Sequence, residues 1–281
     1  MKPVYLCILL LGWAPMSAFA HGDIHLQIEE ITKRIAQEPR NADLYLRRGE
    51  LHRVHQEWDA AQADYDQAIS LNPSLAVVDL ARGKMFLEAN WLLSAKVALD
   101  RFLTAHTNHV DALITRARTL VKLGQRLAGV EDFNRALAWA AQPQPETYLE
   151  RSHALVEEGE TYFEEALKGI DQGIKRLGPL VTFQLFAIDL ELKRKDFDHA
   201  LARLESVAAQ SPRKETWLAR RGEILQQAGR LKEASETYEA ALKAMATLPP
   251  SRRQVPAMAE LEKRIHLALE SIGAPRRQGE Q

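Results

Sequence analysis

The sequence predicts an all-α protein, a solenoid of about six helix pairs closed by a capping helix at each end. Small residues recur at a fixed stride: Gly49, Gly83 and Ala117 stand 34 residues apart, as do Ala61 and Ala95, and Tyr65, Leu99 and Phe133 keep the same step. Within each stride, apolar residues return at intervals of three and four, which places them on one face of a helix. Turn and stop residues punctuate the pattern, with Gly124 and Gly229 between the two helices of a unit and Pro73 and Pro212 just after the second. A lone helix pair leaves an apolar face open, so each unit has to bury that face against the next.

The elements follow in chain order. Lys2 precedes an apolar run from Val4 to Trp13, and Ala18-Phe19-Ala20 has the small-x-small form of an export cleavage site, so residues 1–20 read as a leader cut after Ala20. The run is shorter than the roughly 20 residues that a membrane span needs. Residues 21–41 follow as an amino-terminal cap, with Ile28, Ile31 and Ile35 on one helix face and Pro39 after it. Six units then fit residues 42–75, 76–109, 110–143, 145–180, 181–214 and 215–248. The segment "RRGE" at 47–50 returns at 220–223 as the same position of the first and sixth units; Gln144 and a longer turn in "GETYFEEA" account for the departure from whole strides. The fifth unit fits with a one-residue slip, read as Phe183, Phe186, Ala187 and Leu190. Residues 249–273 hold a Pro-rich connector and a second cap with Met258, Leu261, Ile265, Leu269 and Ile272 on one face, before a frayed tail at 274–281. Close packing explains the small residues: Gly49 and Gly83 are expected to face Ala61 and Ala95 so that the two backbones approach.

These positions resemble the tetratricopeptide repeat. The first unit matches its pattern at Tyr45, Gly49, Ala61, Tyr65, Ala68 and Pro73, and the sixth at Leu218, Gly222, Leu225, Ala234, Tyr238 and Ala241. Arg48, Arg82, Arg116, Arg151 and Arg221 depart from it by replacing a leucine, and Phe102 stands where the second unit should have alanine. The resemblance implies a right-handed superhelix whose first helices line a concave groove that binds a segment of a partner protein. The family's groove positions fall on Leu46, Arg47, Glu50, Arg53, Leu80, Lys84, Leu87, Ile114, Arg118, Val121, Lys122, Leu149, His153 and Val156. For the recurrent Leu46, Leu80, Ile114 and Leu149, packing between units is the competing reading. The lysine and asparagine that clamp a carboxylate in some family members are replaced here by Leu46 and Glu50.

Composition narrows the function. The formal net charge is −1, and removal of the leader takes away only Lys2, so the basic footprint expected of a nucleic-acid binder is missing. The single cysteine, Cys7, lies in the leader, which leaves no thiol nucleophile or disulfide. No phosphate loop, Gly-x-Ser-x-Gly elbow or His-Glu-x-x-His occurs, and the expectation is a non-enzymatic protein without a cofactor.

Two constellations stand out. Arg48 and Asp64 are sixteen apart, as are Arg116 and Asp132, which allows an ion pair across each hairpin; a solvated arginine is the alternative. His21, His25, His52 and His55 would meet where the cap helix starts beside the end of the next helix, a set that could hold Zn or Cu. The other histidines, among them His106 and His109, read as solvated. Gly169, Gly173 and Gly178 crowd the fourth unit, where either the superhelix bends or another group approaches closely.

Overall fold

The computed structural model describes residues 17–209, 211 and 213–273, with side chains from residue 24 onward. Most of the expected leader, Pro212 and the expected tail lie outside the described residues. Those described form helices and turns with no strand among them, the predicted all-α class built from consecutive helix pairs. The chain divides into two compact units, up to Gln142 and from Pro143 onward, beside the extra residue Gln144.

In the amino-terminal half, α1 (Ser17–Gln37) is followed by the pairs α2 (Ala42–Val54) with α3 (Trp58–Leu71), α4 (Val77–Glu88) with α5 (Leu92–Ala105), and α6 (Val110–Lys122) with α7 (Arg126–Trp139). Helix α1 begins before the expected cap and runs through Ala20. In the carboxyl-terminal half the pairs are α8 (Pro145–Glu158) with α9 (Phe163–Leu177), α10 (Val181–Lys193) with α11 (Phe197–Ala209), and α12 (Lys214–Gln227) with α13 (Leu231–Ala246). The expected Pro-rich connector contains one further turn of helix, α14 (Pro250–Arg253), before α15 (Pro256–Gly273).

The turn inside five of the six pairs has one design. Residues 56, 90, 124, 195 and 229 all adopt positive φ, between 59° and 77°. The residue after each donates its N–H to a carbonyl five back: Glu57 to His52, Trp91 to Phe86, Gln125 to Leu120, Asp196 to Glu191 and Arg230 to Leu225, at 2.7–2.9 Å. This is the doubly bonded left-handed cap that satisfies the last carbonyls of a helix. Only two of the five positions are glycine; Asn90 tolerates this region, whereas Gln56 and Lys195 enter it at a cost of about 1–2 kcal/mol each. The fourth pair departs from the design: its longer turn places Gly159 at φ 141° and adds a short 3-10 helix over Glu160–Tyr162.

The first, second and sixth pairs are tightened at a glycine, but not against the residues expected. A Cβ on Gly49 would lie 2.7 Å from the Tyr65 ring, one on Gly83 2.5 Å from Leu99, and one on Gly222 2.6 Å from Tyr238. The bulky residue sixteen positions later, rather than the alanine at twelve, therefore fills the space over the glycine. Ala61 and Ala95 are themselves fully buried within the packed pairs. In the fourth pair the small residues lie on the second helix. The guanidinium of Arg151 covers Gly169, and the rings of Tyr148 and Phe183 both come within 3.1 Å of the place a Gly173 Cβ would occupy. Close approach of side chains thus accounts for two of the three glycines, and Gly178 ends α9 at φ 93°.

Each half has its own core. In the first, Ala61, Tyr65 and Ala68 pack with Val78, Ala81 and Met85, and Leu99 and Phe102 pack with Leu113 and Ala136. In the second, Met258, Leu261 and Ile265 of α15 join Tyr238, Ala241 and Met245, so the final helix covers the apolar face of the last pair.

The Gly83→Val variant should lose about 1–3 kcal/mol by forcing Leu99 out of its seat. Denaturant unfolding checks this; a midpoint equal to that of the parent would contradict the packing described.

Candidate functional site

The first helices of the amino-terminal half carry a ladder of arginines. Arg48 donates from Nε and Nη2 to both carboxylate oxygens of Asp64, at 2.8 and 2.7 Å, and from Nη1 to Thr32 Oγ1 at 3.1 Å. Arg116 does the same to Asp132, at 2.7 and 2.8 Å, and reaches back to Asp100 at 2.8 Å. Arg82, whose forward position is Ala98, pairs only backward, with Asp66. Each ladder arginine thus joins its helix to the second helix of the preceding element, sixteen residues earlier, and where an acid is present to its own second helix, sixteen later. Asp64 and Asp132 are 4% and 3% exposed, so these are sheltered bidentate pairs rather than solvated arginines. Hydrogen bonding to Asp64 and to Asp132 holds Arg48 and Arg116 above the ordinary arginine pKa.

A second network runs along the same helices at the positions the resemblance assigns to the groove. Arg53 is bonded to Glu50 at 3.0 Å and to Glu88 of the next pair at 2.5 Å. Burial would lower the Arg53 pKa, but these bonds outweigh it and raise it. The hydroxyl of Tyr65 donates to Glu50 at 2.5 Å, and burial together with that carboxylate pushes the phenol pKa upward. Lys84 pairs with Asp111 at 2.5 Å. Arg53 and Lys84 are each held by an acid of the next pair, and Glu50 by Arg53 and Tyr65 of its own pair.

The other expected groove residues divide. Arg47, Arg118 and Lys122 are exposed, and Leu46, Leu87, Ile114 and Val121 are half-buried. Leu80 is a correction: at 6% exposure it belongs to the core with Leu99 and Phe102, because it fills the junction between pairs instead of facing solvent. Leu46 and Ile114 also pack against core residues.

In the carboxyl-terminal half, Leu149 and Val156 are half-buried, and exposed His153 meets Phe186 edge-on, with ring centroids 4.8 Å apart. Arg220 joins Asp189 at 2.9 Å to Glu223 at 3.0 Å. Phe186, Asp189 and Arg220 are not among the expected groove residues, since the groove positions carried over from the family fall in the first four units only. The signal available was the repeated "RRGE", which sets Arg220 where Arg47 stands.

The amino-terminal histidines converge only in part. His25 and His55 meet edge-on at 4.5 Å, and Glu57 accepts contacts from His52 Nδ1 at 2.5 Å and His55 Nδ1 at 2.9 Å. Bonds from His55 and then His52 lower the Glu57 pKa. The rings are spent on one another and on a carboxylate: among the described residues no three metal-capable side chains are placed to hold an ion, and the side chain of His21 lies outside them. His106 and His109 are exposed but not idle, since both rings lie against Phe102 and His109 Nδ1 accepts from the Ala112 N–H at the start of α6.

Comparison with known proteins places this architecture. Residues 156–256 match the sequence model described as "Tetratricopeptide repeat-like domain". No curated protein sequence matches the chain. Among solved structures, the chain is similar to the C-terminal part of a TPR repeat-containing protein from Cytophaga hutchinsonii, at 15% identity and TM-score 0.64 over 82% of this chain and 93% of that one. It is also similar to a tetratricopeptide repeat protein from Parabacteroides merdae, at 18% identity and TM-score 0.52 over 88% of this chain and 94% of that one. A third similar structure, of Naa15/Naa10 bound to HypK-THB, has 14% identity and TM-score 0.56, with 94% of this chain covering 39% of that one. At these identities the likeness concerns the fold.

Asp132→Asn should cost about 1.5–3 kcal/mol, because Arg116 loses a sheltered charged acceptor. Asp66→Asn should cost less than about 1 kcal/mol, since Asp66 is exposed. Paired unfolding curves decide; equal losses would mean that the ladder does not depend on burial.

Proposed function

From the premise that this chain is a tetratricopeptide repeat protein, we propose that it is an exported scaffold or adaptor that binds segments of partner proteins on the face lined by its first helices. The observation that carries this is the network Glu50–Arg53–Glu88 with Lys84–Asp111, in which charges on successive first helices are locked in place before any partner arrives. Groups ordered in advance lose less freedom on binding, which favours recognition of an extended or helical segment. Exposed Arg47 and Lys122 and half-buried Leu87 and Val121 supply the contacts around that frame. The similar structure of Naa15/Naa10 is itself of a complex with a bound partner, which supports a protein ligand for this architecture.

Export rests on the sequence: Lys2, the apolar run and Ala18-Phe19-Ala20 read as a leader cut after Ala20, which places the mature protein in the periplasm or outside the cell. No helix among the described residues is long and apolar enough to cross a membrane. In this reading no residue performs bond-making chemistry, and binding is the activity.

Photo-crosslinking amino acids test the assignment when placed at Arg47 and Leu87 on first helices and at Arg101 and Leu127 on second helices, in the full chain expressed in its own envelope. The proposal expects crosslinked partners from the first pair of sites only. Crosslinks confined to the second pair, or equal at all four, would overturn it.

A further inference from the structure

The carboxyl-terminal half contains a cavity of about 320 Å³ between α11 and α12. Its wall is largely apolar, with Leu201, Leu204, Ala208 and Trp217 among the residues that line it, and Lys214, Arg221 and Glu205 line it too. The volume falls at the small end of the range for pockets that enclose a small molecule.

Arg221 gives the cavity its chemistry. It stands at the ladder position, immediately before the small residue of the first helix, here Gly222, as do Arg48 before Gly49, Arg82 before Gly83 and Arg116 before Ala117. Those three arginines each hold a carboxylate. For Arg221 both rungs fail. Sixteen residues later is Thr237, whose hydroxyl is spent on the Glu233 carbonyl at 2.7 Å. Sixteen residues earlier is Glu205, which lines the same cavity but is exposed and forms no ion pair with it among the described residues. Glu233, close enough to feel the charge of Arg221, has its two oxygens taken by Arg230 at 2.7 and 2.6 Å. A half-buried guanidinium therefore borders an apolar cavity at the position where Arg48 and Arg116 each bind both oxygens of a carboxylate.

We infer that this cavity binds an amphiphilic monocarboxylate, a medium-chain alkyl or an aryl acid. The apolar part sits among Leu201, Leu204, Ala208 and Trp217, and the carboxylate takes the vacant rung on Arg221, with Lys214 adding a second positive charge. Glu205 competes for the same arginine and sets the affinity. The site is separate from the partner-binding face proposed above and stands or falls independently of it.

Trp217 supplies the readout. Its indole Nε1 is buried without a hydrogen-bond partner, so its N–H signal should respond to a ligand in the cavity and can be assigned with a Trp217→Phe variant. The experiment titrates the mature protein with octanoate, octanol and octylammonium and follows that signal by ¹H–¹⁵N NMR. Octanoate should shift it saturably, with octanol binding at least about tenfold more weakly and octylammonium not at all, as expected where a charge-assisted bond distinguishes the ligands. Arg221→Gln should abolish the preference for octanoate over octanol, and Glu205→Gln should tighten octanoate binding several-fold. Should Arg221→Gln fail to fold, Ala208→Phe, which fills the cavity and leaves the arginine, should remove the octanoate shift. Equal binding of octanoate and octanol, no saturable shift with octanoate, or a response unchanged in folded Arg221→Gln or Ala208→Phe would overturn the inference.

Discussion

The first, second and sixth helix pairs depend on a bulky side chain seated directly over a glycine of the partner helix. Tyr65 on Gly49, Leu99 on Gly83 and Tyr238 on Gly222 hold the two helices of a pair at a separation that any Cβ would increase. Everything else in a pair follows from that separation. The small residues of the second helix can be fully buried, the apolar outer faces become complementary to the next pair, and side chains sixteen residues apart face one another across the hairpin. The fourth pair meets the same demand with its parts exchanged, placing rings over Gly173 on the second helix.

The sixteen-residue correspondence also organises the charges. An arginine beside the small residue of the first helix faces the residue beside the aromatic of the second, and in Arg48–Asp64 and Arg116–Asp132 that residue is an acid. The pairs are sheltered enough that losing one partner strands a charge, yet the arginines retain some contact with solvent, which limits the desolvation cost of assembling them. Arg48 and Arg116 also reach backward to Thr32 and Asp100, so each ties three consecutive helices, while Arg82 reaches backward to Asp66 and ties two. Arg221 has Thr237 at the forward position and exposed Glu205 at the backward one, forms an ion pair with neither among the described residues, and lines a cavity.

The helix pairs were legible in the sequence because both the stride and the apolar spacing are consequences of close packing, which leaves few alternatives at Gly49, Tyr65 or Ala61. The Arg48–Asp64 pair was legible for the same reason, as a geometric corollary of the hairpin. The identity of the residue over each glycine was not, since spacing alone does not distinguish Ala61 from Tyr65 as the neighbour of Gly49. The left-handed turn residues Gln56 and Lys195 were hidden because bonds from the following residues impose a conformation that their own side chains disfavour. The candidate binding surface was legible in register but not in exposure. Leu80 shares its helix position with Leu46 and Ile114, and only the packing of Leu99 and Phe102 reveals that it is enclosed. The histidine cluster was right in neighbourhood for His25, His52 and His55, but Glu57, adjacent in sequence and unremarkable there, becomes their shared partner.

A double-mutant cycle between Gly222→Ala and Tyr238→Ala, read by denaturant unfolding, tests the seating of a ring on a glycine most directly. If the Tyr238 ring occupies the space where a Gly222 Cβ would stand, the alanine should be costly beside tyrosine and nearly free beside alanine, with a coupling of at least about 1 kcal/mol, within the range for residues in contact. Additive effects, agreeing within about 0.3–0.5 kcal/mol as independent sites do, would contradict the account.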